Sequence, residues 1–358
     1  MTGPGALARV LEGFAAGRRA SLARAMSIVE DGRPEADALL AALHPLVGRT
    51  RRIGITGPPG AGKSTVTTRL AAYFREQGLT VGIIAVDPTS PFTGGALLGD
   101  RVRMEAVALD PGVFIRSMAT RGSLGGLAAT TRELCDVLDA YGVDRLLVET
   151  VGVGQSELDI SRTADQSVVV LVPESGDTIQ AMKAGLMEIA DLFVVNKADR
   201  PGADRVKHDL ELMLGLRTAF SHGDEPAHHG VDLRRIANPA RAARAAAADP
   251  EAVAWTPPVL QTVGTTGAGV VELVGALDRH FAYLERSGTL AARRRARVRQ
   301  RIVDVVEARV RRRLWLDRGT NEWLDARLPE VESGAITPYL AADQLLARSG
   351  SLLTGATE

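Results

Sequence analysis

Cysteine, aromatic residues and net charge are all scarce in this sequence of 358 residues. The single cysteine, Cys135, excludes a disulfide framework and a cysteine-based zinc site within one chain. An aromatic content of 4% disfavours stacking platforms for single-stranded nucleic acid. The 43 Lys and Arg residues are matched by 43 Asp and Glu residues, which excludes nucleic-acid binding through bulk positive charge.

Long apolar runs are also missing. No run approaches the roughly 18 residues that a membrane-spanning helix needs, and the longest, such as 168–172, have the length of a strand. The first twenty residues contain arginines but no continuous apolar segment, so a signal peptide is not expected. With one reduced cysteine and no export signal, we expect a cytoplasmic protein without a membrane partner.

Short apolar runs alternate with amphipathic helical stretches over residues 46–286. The runs lie at 53–56, 81–86, 113–118, 146–148, 168–172, 192–195 and 259–263. Most are continuously apolar, which is typical of parallel strands that are covered on both faces. Helical patterns lie between them, at 66–74, 127–141, 178–190, 203–214 and 270–284. We therefore predict an α/β fold with a doubly wound, mostly parallel sheet.

Helical segments flank this predicted domain on both sides. Residues 1–45 carry apolar residues at helical spacing and predict an N-terminal helical extension. Residues 287–358 predict a C-terminal helical region, in which 291–313 hold ten arginines. Those arginines form a solvated face or contact an acidic partner or subunit, with nucleic acid as a lesser alternative. Pro329 and Pro338 are expected to break the tail into shorter helices.

A phosphate-binding motif directly follows the first predicted strand. The eight residues from Gly57 to Ser64 match G-x-x-x-x-G-K-[ST] and precede a helix, which is the context that the motif requires. Glycines let backbone N–H groups face phosphate oxygens, and the helix N-terminus attracts the same anion. Lys63 is expected to bridge the β- and γ-phosphates of a nucleotide. The predicted phosphate-binding residues are Gly57, Pro58, Pro59, Gly60, Ala61, Gly62, Lys63, Ser64 and Thr65.

Acidic residues stand where a magnesium–triphosphate site needs them. Asp87 ends the second strand, Glu149 ends the fourth, and Asp100 lies in a glycine-rich loop between them. Since the carboxyl ends of parallel strands meet at one edge of the sheet, we expect these carboxylates to hold Mg²⁺ with the Ser64 hydroxyl, or to orient the attacking water. With Lys63 they are the predicted catalytic residues. Which carboxylate contacts the metal directly stays open, and helix capping is the alternative role.

A guanine-selecting motif follows the strand at 192–195. In Asn196-Lys197-Ala198-Asp199, the Asp199 carboxylate can accept from both N1–H and the exocyclic amine of guanine, and adenine offers neither donor there. The lysine stem packs on the base. A second base-binding loop is expected after the last strand, at Val263, Gly264 and Thr265. The sequence therefore predicts GTP rather than ATP as the nucleotide.

The residues that follow Glu149 predict slow hydrolysis. Glu149-Thr150-Val151-Gly152 resembles the D-x-x-G element that senses the γ-phosphate, with Glu in place of Asp. Ras-like enzymes place a water-orienting Gln directly after that glycine, whereas this chain has Val153 there and Gln155 two positions later. An apolar residue cannot orient water. We therefore expect a switch whose hydrolysis depends on a partner, with loops that change at 87–103 and 152–157.

Two long segments resemble the MeaB family, the methylmalonyl-CoA mutase-associated GTPases. They are DPTSPFTGGALLGDRVRM at 87–104 and ETVGVGQSE at 149–157. NKADRPGAD at 196–204 is also similar to this family. The family is in turn similar to proteins labelled MMAA, ArgK or LAO transport kinase. The resemblance runs in order over about 5–345, and these motifs are far more specific than a phosphate-binding loop alone.

The resemblance implies a SIMIBI-type P-loop GTPase that works as a chaperone of an adenosylcobalamin-dependent acyl-CoA mutase. Such proteins gate cofactor loading from a cobalamin adenosyltransferase, protect or reactivate the mutase, and form homodimers through their C-terminal helices. The mutase in turn raises GTP hydrolysis. A mobile loop of the family maps onto 172–183. Within it Asp177, Gln180 and Lys183, together with Gly152 and Gln155, are the predicted coupling residues. An ordinary helix start at 176–178 is the alternative for the first three.

Some residues depart from the family pattern, and other functions stay open. Relatives tend to have Ser-Ala where this chain has Val263-Gly264, and the His-rich stretch 219–230 is an unusual insertion. A P-loop ATP-dependent kinase is one alternative, disfavoured by Asp199. A metallochaperone GTPase is another, disfavoured by the single cysteine, and a signal-recognition-type GTPase lacks its methionine-rich basic domain here. The sequence does not identify the acyl-CoA mutase, and methylmalonyl-CoA mutase is the default.

Overall fold

The computed structural model describes residues 4–87, 104–119, 129–150, 160–174, 185–220 and 255–349. Its internal contacts group the chain into two units, 1–292 and 293–358. The sheet and the N-terminal helices belong to the first unit. The division into an extension, a G domain and a C-terminal region at 1–45, 46–286 and 287–358 stays a prediction.

Within the described residues, the strands form one parallel sheet of seven members in the order β3-β2-β4-β1-β5-β6-β7. The strands are β1 (Arg51–Thr56), β2 (Val81–Asp87), β3 (Val113–Ala119), β4 (Arg145–Glu149), β5 (Gln166–Leu171), β6 (Leu192–Asn196) and β7 (Val259–Thr262). Every residue of β5 and of β6 is buried, which explains why these strands are continuously apolar. The predicted doubly wound parallel sheet is confirmed.

Helices cover both faces of the sheet. In chain order they are α1 (Pro4–Ala15), α2 (Arg19–Glu30), α3 (Ala36–Leu43), α4 (Lys63–Glu76), α5 (Glu105–Ala108), α6 (Ala129–Tyr141), α7 (Met187–Ile189), α8 (Ala203–Phe220), α9 (Val270–Arg286), α10 (Thr289–Leu316), α11 (Arg318–Glu332) and α12 (Pro338–Arg348). Across the described ranges, none of the helices is both long enough and apolar enough to cross a membrane.

Two apolar cores lie on opposite faces of the sheet. On one face, α4 and α9 bury residues such as Leu70 and Leu277 against the strands. On the other face, α1, α2, α3 and α6 bury Leu22, Leu39 and Leu138. A third cluster lies between α8 and strands β5 to β7. The predicted N-terminal helices therefore contribute directly to the core of the sheet.

The second unit contains most of α10 together with α11 and α12. The chain turns between α10 and α11 at Asp317, whose side chain caps α11 by accepting from the Thr320 N–H at 2.7 Å. The prediction that Pro329 breaks the tail is wrong, because α11 continues through it to Glu332. Pro329 lacks only one N–H donor, and the helix ends one turn later in any case. Pro338 is the first residue of α12, so it does separate two helices as predicted.

The carboxyl edge of the sheet positions the predicted site. Strand β1 lies at its centre, between β4 and β5, and leads into the phosphate-binding loop at 57–62. Strand β4 ends at Glu149 on one side, and β6 and β7 end on the other side at Asn196 and Thr262. In open parallel sheets, ligands bind in the crevice beyond these strand ends.

Candidate functional site

The phosphate-binding loop joins β1 to α4 through two tightly packed glycines. Gly57 has φ +132°, and a Cβ there would lie 2.1 Å from the Val170 carbonyl oxygen. Gly62 has φ +84° at the N-cap of α4, and a Cβ there would lie 2.3 Å from Asn196 Nδ2. Neither position can accept a side chain without displacing backbone or the buried asparagine. The glycines of the motif are therefore required by the packing of the loop.

Lys63, the first residue of α4, folds back over this loop. Its Nζ donates to the carbonyl oxygens of Gly57 at 2.8 Å and Pro58 at 3.0 Å, and the residue is buried. Both acceptors are neutral, and an ammonium group binds an anionic phosphate oxygen more strongly than a carbonyl. The arrangement places the cation where the phosphates of a nucleotide would meet the helix N-terminus.

Glu149 connects the end of β4 to two hydroxyl groups of α4. Its carboxylate accepts from Ser64 Oγ at 2.6 Å and from Thr67 Oγ1 at 3.1 Å. Glu149 and Thr67 are both buried. Sequence reasoning missed Thr67, although its position one turn after Ser64 places both hydroxyls on one face of the helix. Hydroxyl and carboxylate oxygens are the hard donors that Mg²⁺ prefers, so Ser64 and Glu149 fit such an ion.

The other predicted carboxylates are only partly described. Asp87 is the last residue of β2. Ala85 of β2 pairs with Glu149 of β4, so Asp87 lies two residues beyond that pair, at the carboxyl edge of the sheet. The side chain of Asp87 lies outside the described residues, as does Asp100. The structure thus brings the end of β2 next to Glu149, and the role of both aspartates stays a prediction.

Asn196 joins the phosphate-binding loop to both base-binding segments. Its Nδ2 donates to the Ala61 carbonyl oxygen at 2.9 Å. Its Oδ1 accepts from the Gly264 N–H at 3.0 Å and from Thr262 Oγ1 at 3.1 Å. The side chain is buried, and a buried amide is stable only when its polar atoms are paired in this way. One residue therefore fixes the distance between the two ends of the predicted nucleotide site.

Lys197 adopts an unusual backbone conformation directly after Asn196. It is the non-glycine residue of the described chain with a positive φ, at +57°, and its Nζ donates to the Gly60 carbonyl oxygen at 2.9 Å. Such strain is typical of functional loops. The stem of Lys197 thus lies along the phosphate-binding loop, and Asp199 is exposed two residues later. This geometry leaves the Asp199 carboxylate accessible to a base.

A further ion pair lies beside the base motif. Arg200 donates to Glu174, and this hydrogen bond lowers the pKa of the Glu174 carboxyl below its ordinary value. Arg200 directly follows Asp199, and Glu174 is the last described residue before 175–184. The pair thus links the base motif to the residue before 175–184. That range contains most of the predicted coupling residues.

The predicted switch residues lie outside the described residues: Gly152, Gln155, Asp177, Gln180 and Lys183. The structure does show how the chain approaches 152. The Thr150 N–H donates to the Ile55 carbonyl oxygen at 3.1 Å, and Thr150 Oγ1 donates to Thr56 Oγ1 at 2.9 Å. Because both threonines are buried, the first half of the predicted γ-phosphate sensor, Glu149-Thr150, is anchored to β1.

Comparison with known proteins identifies the family. The family model described as methylmalonyl-CoA mutase-associated GTPase MeaB matches residues 22–318. The chain belongs to the MeaB family. The resemblance inferred from 87–104 and 149–157 is therefore confirmed. Because the family is one of GTPases and relatives at high coverage are named as such, the protein is a P-loop GTPase that binds nucleotide, as predicted.

Relatives of this MeaB-family chain extend over almost its whole length. A protein of Pyrococcus horikoshii named as a GTPase is 45% identical over 337 residues, which is 94% of this chain and 96% of that protein. The mitochondrial methylmalonic aciduria type A homolog of Mus musculus is 32% identical over 94% of this chain and 78% of its own length. A crystal structure described as a LAO/AO transport system kinase is 28% identical, covers 97% of this chain and 98% of its own, and has a TM-score of 0.65.

Proposed function

We propose that this MeaB-family GTPase binds GTP with Mg²⁺ across the carboxyl edge of its sheet. The observation that carries the proposal is the Asn196 side chain, which forms hydrogen bonds with Ala61 of the phosphate-binding loop, with Thr262 at the end of β7 and with Gly264 of the second base loop. One side chain therefore links the segments that would hold the phosphates and the base. In the proposed site, Asp199 is the acceptor for guanine and Lys63 the cation for its phosphates.

The residues at the phosphate end of the proposed site bear on GTP hydrolysis. Ser64 and Glu149 would hold Mg²⁺, which supplies positive charge to the phosphates during hydrolysis. The Thr67 hydroxyl lies within hydrogen-bond distance of both the Glu149 carboxylate and the Lys63 carbonyl oxygen, at 3.1 and 2.9 Å, and so links the carboxylate to the first turn of α4. Since Val153 replaces a water-orienting glutamine, hydrolysis in the isolated chain is slow and depends on a partner.

Lys63→Ala tests the phosphate site. We expect GTP affinity to fall by roughly 100-fold, because a buried charge partner of the phosphates is lost. Isothermal titration calorimetry with GTP and GDP measures this. Lys207→Ala is the matched control, since that lysine lies on α8 and pairs with Glu211. Unchanged GTP affinity in Lys63→Ala would contradict the assignment.

We infer that the partner is an adenosylcobalamin-dependent acyl-CoA mutase, with methylmalonyl-CoA mutase as the first choice. The family description and the resemblance at 149–157 support this proposal. In it, the chain gates cofactor loading from a cobalamin adenosyltransferase, protects the mutase, and acts as a homodimer. Gln180 and Lys183 transmit the nucleotide state to the mutase, through a segment that begins beside the Glu174–Arg200 pair.

Binding assays with purified mutases test this partner assignment. The chain loaded with GDP or with a non-hydrolysable GTP analogue is titrated against methylmalonyl-, isobutyryl-, ethylmalonyl- and hydroxyisobutyryl-CoA mutases. GTP hydrolysis is measured with and without each mutase. We expect one mutase to bind in a nucleotide-dependent manner and to accelerate hydrolysis. Gln180→Ala with Lys183→Ala is expected to keep GTP affinity and lose most of that acceleration. Equal hydrolysis with and without every mutase would refute the chaperone role.

A further inference from the structure

Arg69 of α4 reaches across to the second base loop, defined as residues 263–268. Its Nε donates to the Gly264 carbonyl oxygen at 2.9 Å, and its Nη2 donates to the Thr265 carbonyl oxygen. One planar guanidinium thus holds two consecutive carbonyl groups, a geometry that only arginine provides. No motif in the sequence marks Arg69, because it lies five residues beyond the end of the phosphate-binding pattern.

The N–H groups of the second base loop are almost all used within the protein. Those that donate internally belong to Val263, Gly264, Thr266, Gly267 and Ala268. The Thr265 N–H has no acceptor in the part of the chain that the structure describes, and Thr265 is exposed. It is therefore the backbone donor of this loop that remains available to a ligand.

Arg69 determines where that donor points. The Gly264 carbonyl and the Thr265 N–H belong to one trans peptide unit, in which C=O and N–H lie in a plane and point in opposite directions. Fixing the carbonyl toward Arg69 therefore aims the N–H away from it. Glycine has more backbone freedom than any other residue type. Without the contact to Arg69, the peptide that follows Gly264 would therefore rotate more easily.

We propose that Arg69 is a positioning residue for guanine recognition, which holds the Gly264–Thr265 peptide so that the Thr265 N–H donates to O6 of the base. The proposal rests on the GTP site proposed above. A 6-oxo purine accepts from this N–H, whereas adenine presents an amino donor at the same position and leaves both donors unpaired. Asp199 is expected to accept from the N1–H and the 2-amino group, which lie beside O6 on the same edge of guanine, so the two residues contact different atoms of the base.

Nucleotide analogues separate this role from a general structural one. Calorimetry with the full chain measures dissociation constants for three diphosphates: GDP, IDP and 2-aminopurine riboside diphosphate. IDP keeps O6 but lacks the 2-amino group of guanine, and the 2-aminopurine nucleotide lacks O6. Arg69→Ala is expected to weaken GDP and IDP by roughly tenfold and to leave the 2-aminopurine nucleotide within about twofold. Arg69→Lys should recover part of the loss, since one ammonium cannot hold both carbonyls in the same fork.

Arg75→Ala is the matched control on the same helix. Arg75 donates to the Leu79 carbonyl oxygen at 2.8 Å and pairs with Asp110, far along α4 from the base loop, so all three affinities should stay unchanged. The proposal is overturned if Arg69→Ala weakens the binding of all three nucleotides equally, or weakens the binding of none. If that variant does not fold, the same criterion applies to Arg69→Lys. If the wild-type chain shows no preference for GDP over ADP, the proposed GTP site is refuted, independently of the role of Arg69.

Discussion

At the scale of single residues, the candidate site depends on side chains that bond two segments at once. Asn196 bonds the phosphate-binding loop and the second base loop, and Glu149 bonds two hydroxyls of α4. Each is buried with its polar atoms paired, so removing either would leave unsatisfied partners in the interior. Asp199 differs because it is exposed and is expected to act only on the ligand.

Asp199→Asn is expected to weaken GTP by roughly 100-fold and to relax base choice. The amide loses the ability to accept from both N1–H and the 2-amino group of guanine, while the fold is unaffected because the side chain is exposed. Competition binding with GTP and ATP measures the change. Asp204→Asn is the control, since its carboxylate accepts from Gln261 Nε2 instead. Retained guanine preference in Asp199→Asn would place the base pocket elsewhere.

At the scale of elements, a buried carboxylate holds the start of β1 against α6. Asp139 of α6 accepts from the backbone N–H groups of Gly48, Arg49 and Thr50 at 3.0 to 3.1 Å, and pairs with Arg52 at 2.7 Å. Although burial raises the pKa of Asp139, the Arg52 charge and these hydrogen bonds lower it by more, so its pKa lies below the ordinary value.

Asp139→Asn is expected to lower the free energy of unfolding at pH 7 by about 3 kcal/mol, because the amide is a weaker acceptor for the three backbone N–H groups and leaves the buried Arg52 with Asp136 as its carboxylate partner. A carboxyl whose folded pKa is depressed stabilises the protein above its unfolded pKa, and this contribution is lost as pH falls through the folded pKa. The wild type should therefore lose stability below about pH 4, and the variant should lose less. Denaturant titrations between pH 3 and pH 7 measure both.

Asp31→Asn is the control for this experiment. Asp31 pairs with Arg33 at 2.6 Å, but both side chains are about 40% exposed, and such surface pairs contribute little. We expect a change within about 0.5 kcal/mol. A similar loss in both variants would show that the Asp139 network carries no special stability.

At the scale of the whole molecule, α10 carries an apolar stripe that remains exposed. Val298, Ile302, Val306 and Val310 recur every fourth residue and are 38% to 61% exposed. Residues four apart lie on one face of a helix, so these side chains form a continuous strip. A strip of this kind supports the proposed homodimer through the C-terminal helices.

Ile302→Asp is expected to weaken self-association by roughly tenfold or more, since a charge would be buried in the proposed dimer interface. Sedimentation velocity over a range of protein concentrations measures the monomer–dimer equilibrium. Leu109→Asp is the control, because Leu109 is 92% exposed and lies in the sheet-containing unit. Dimerisation of Ile302→Asp at wild-type strength would assign the dimer to another surface.

Fold class, strand positions and the phosphate and base motifs could all be predicted from the sequence, because each depends on local patterns. Continuous apolar runs identify buried parallel strands, and glycine at 57 and 62 follows from the backbone conformation that the loop requires. Thr67 and Arg69 could not be predicted in this way. Their roles depend on Glu149 and the second base loop, which are more than 80 residues away in sequence.

The amino-acid sequence shows which chemical groups are available: a lysine and a serine predicted to bind phosphate and metal, an aspartate predicted to bind guanine, and a parallel sheet whose strand ends carry them. How these groups are connected follows from long-range contacts in the folded chain. Asn196 forms hydrogen bonds with two loops and the end of β7, Glu149 with two hydroxyls, and Arg69 with two consecutive carbonyl groups. Hydrogen bonds act over about 3 Å, and no pattern along the chain records which distant residues the packing of helices on the sheet brings within that distance.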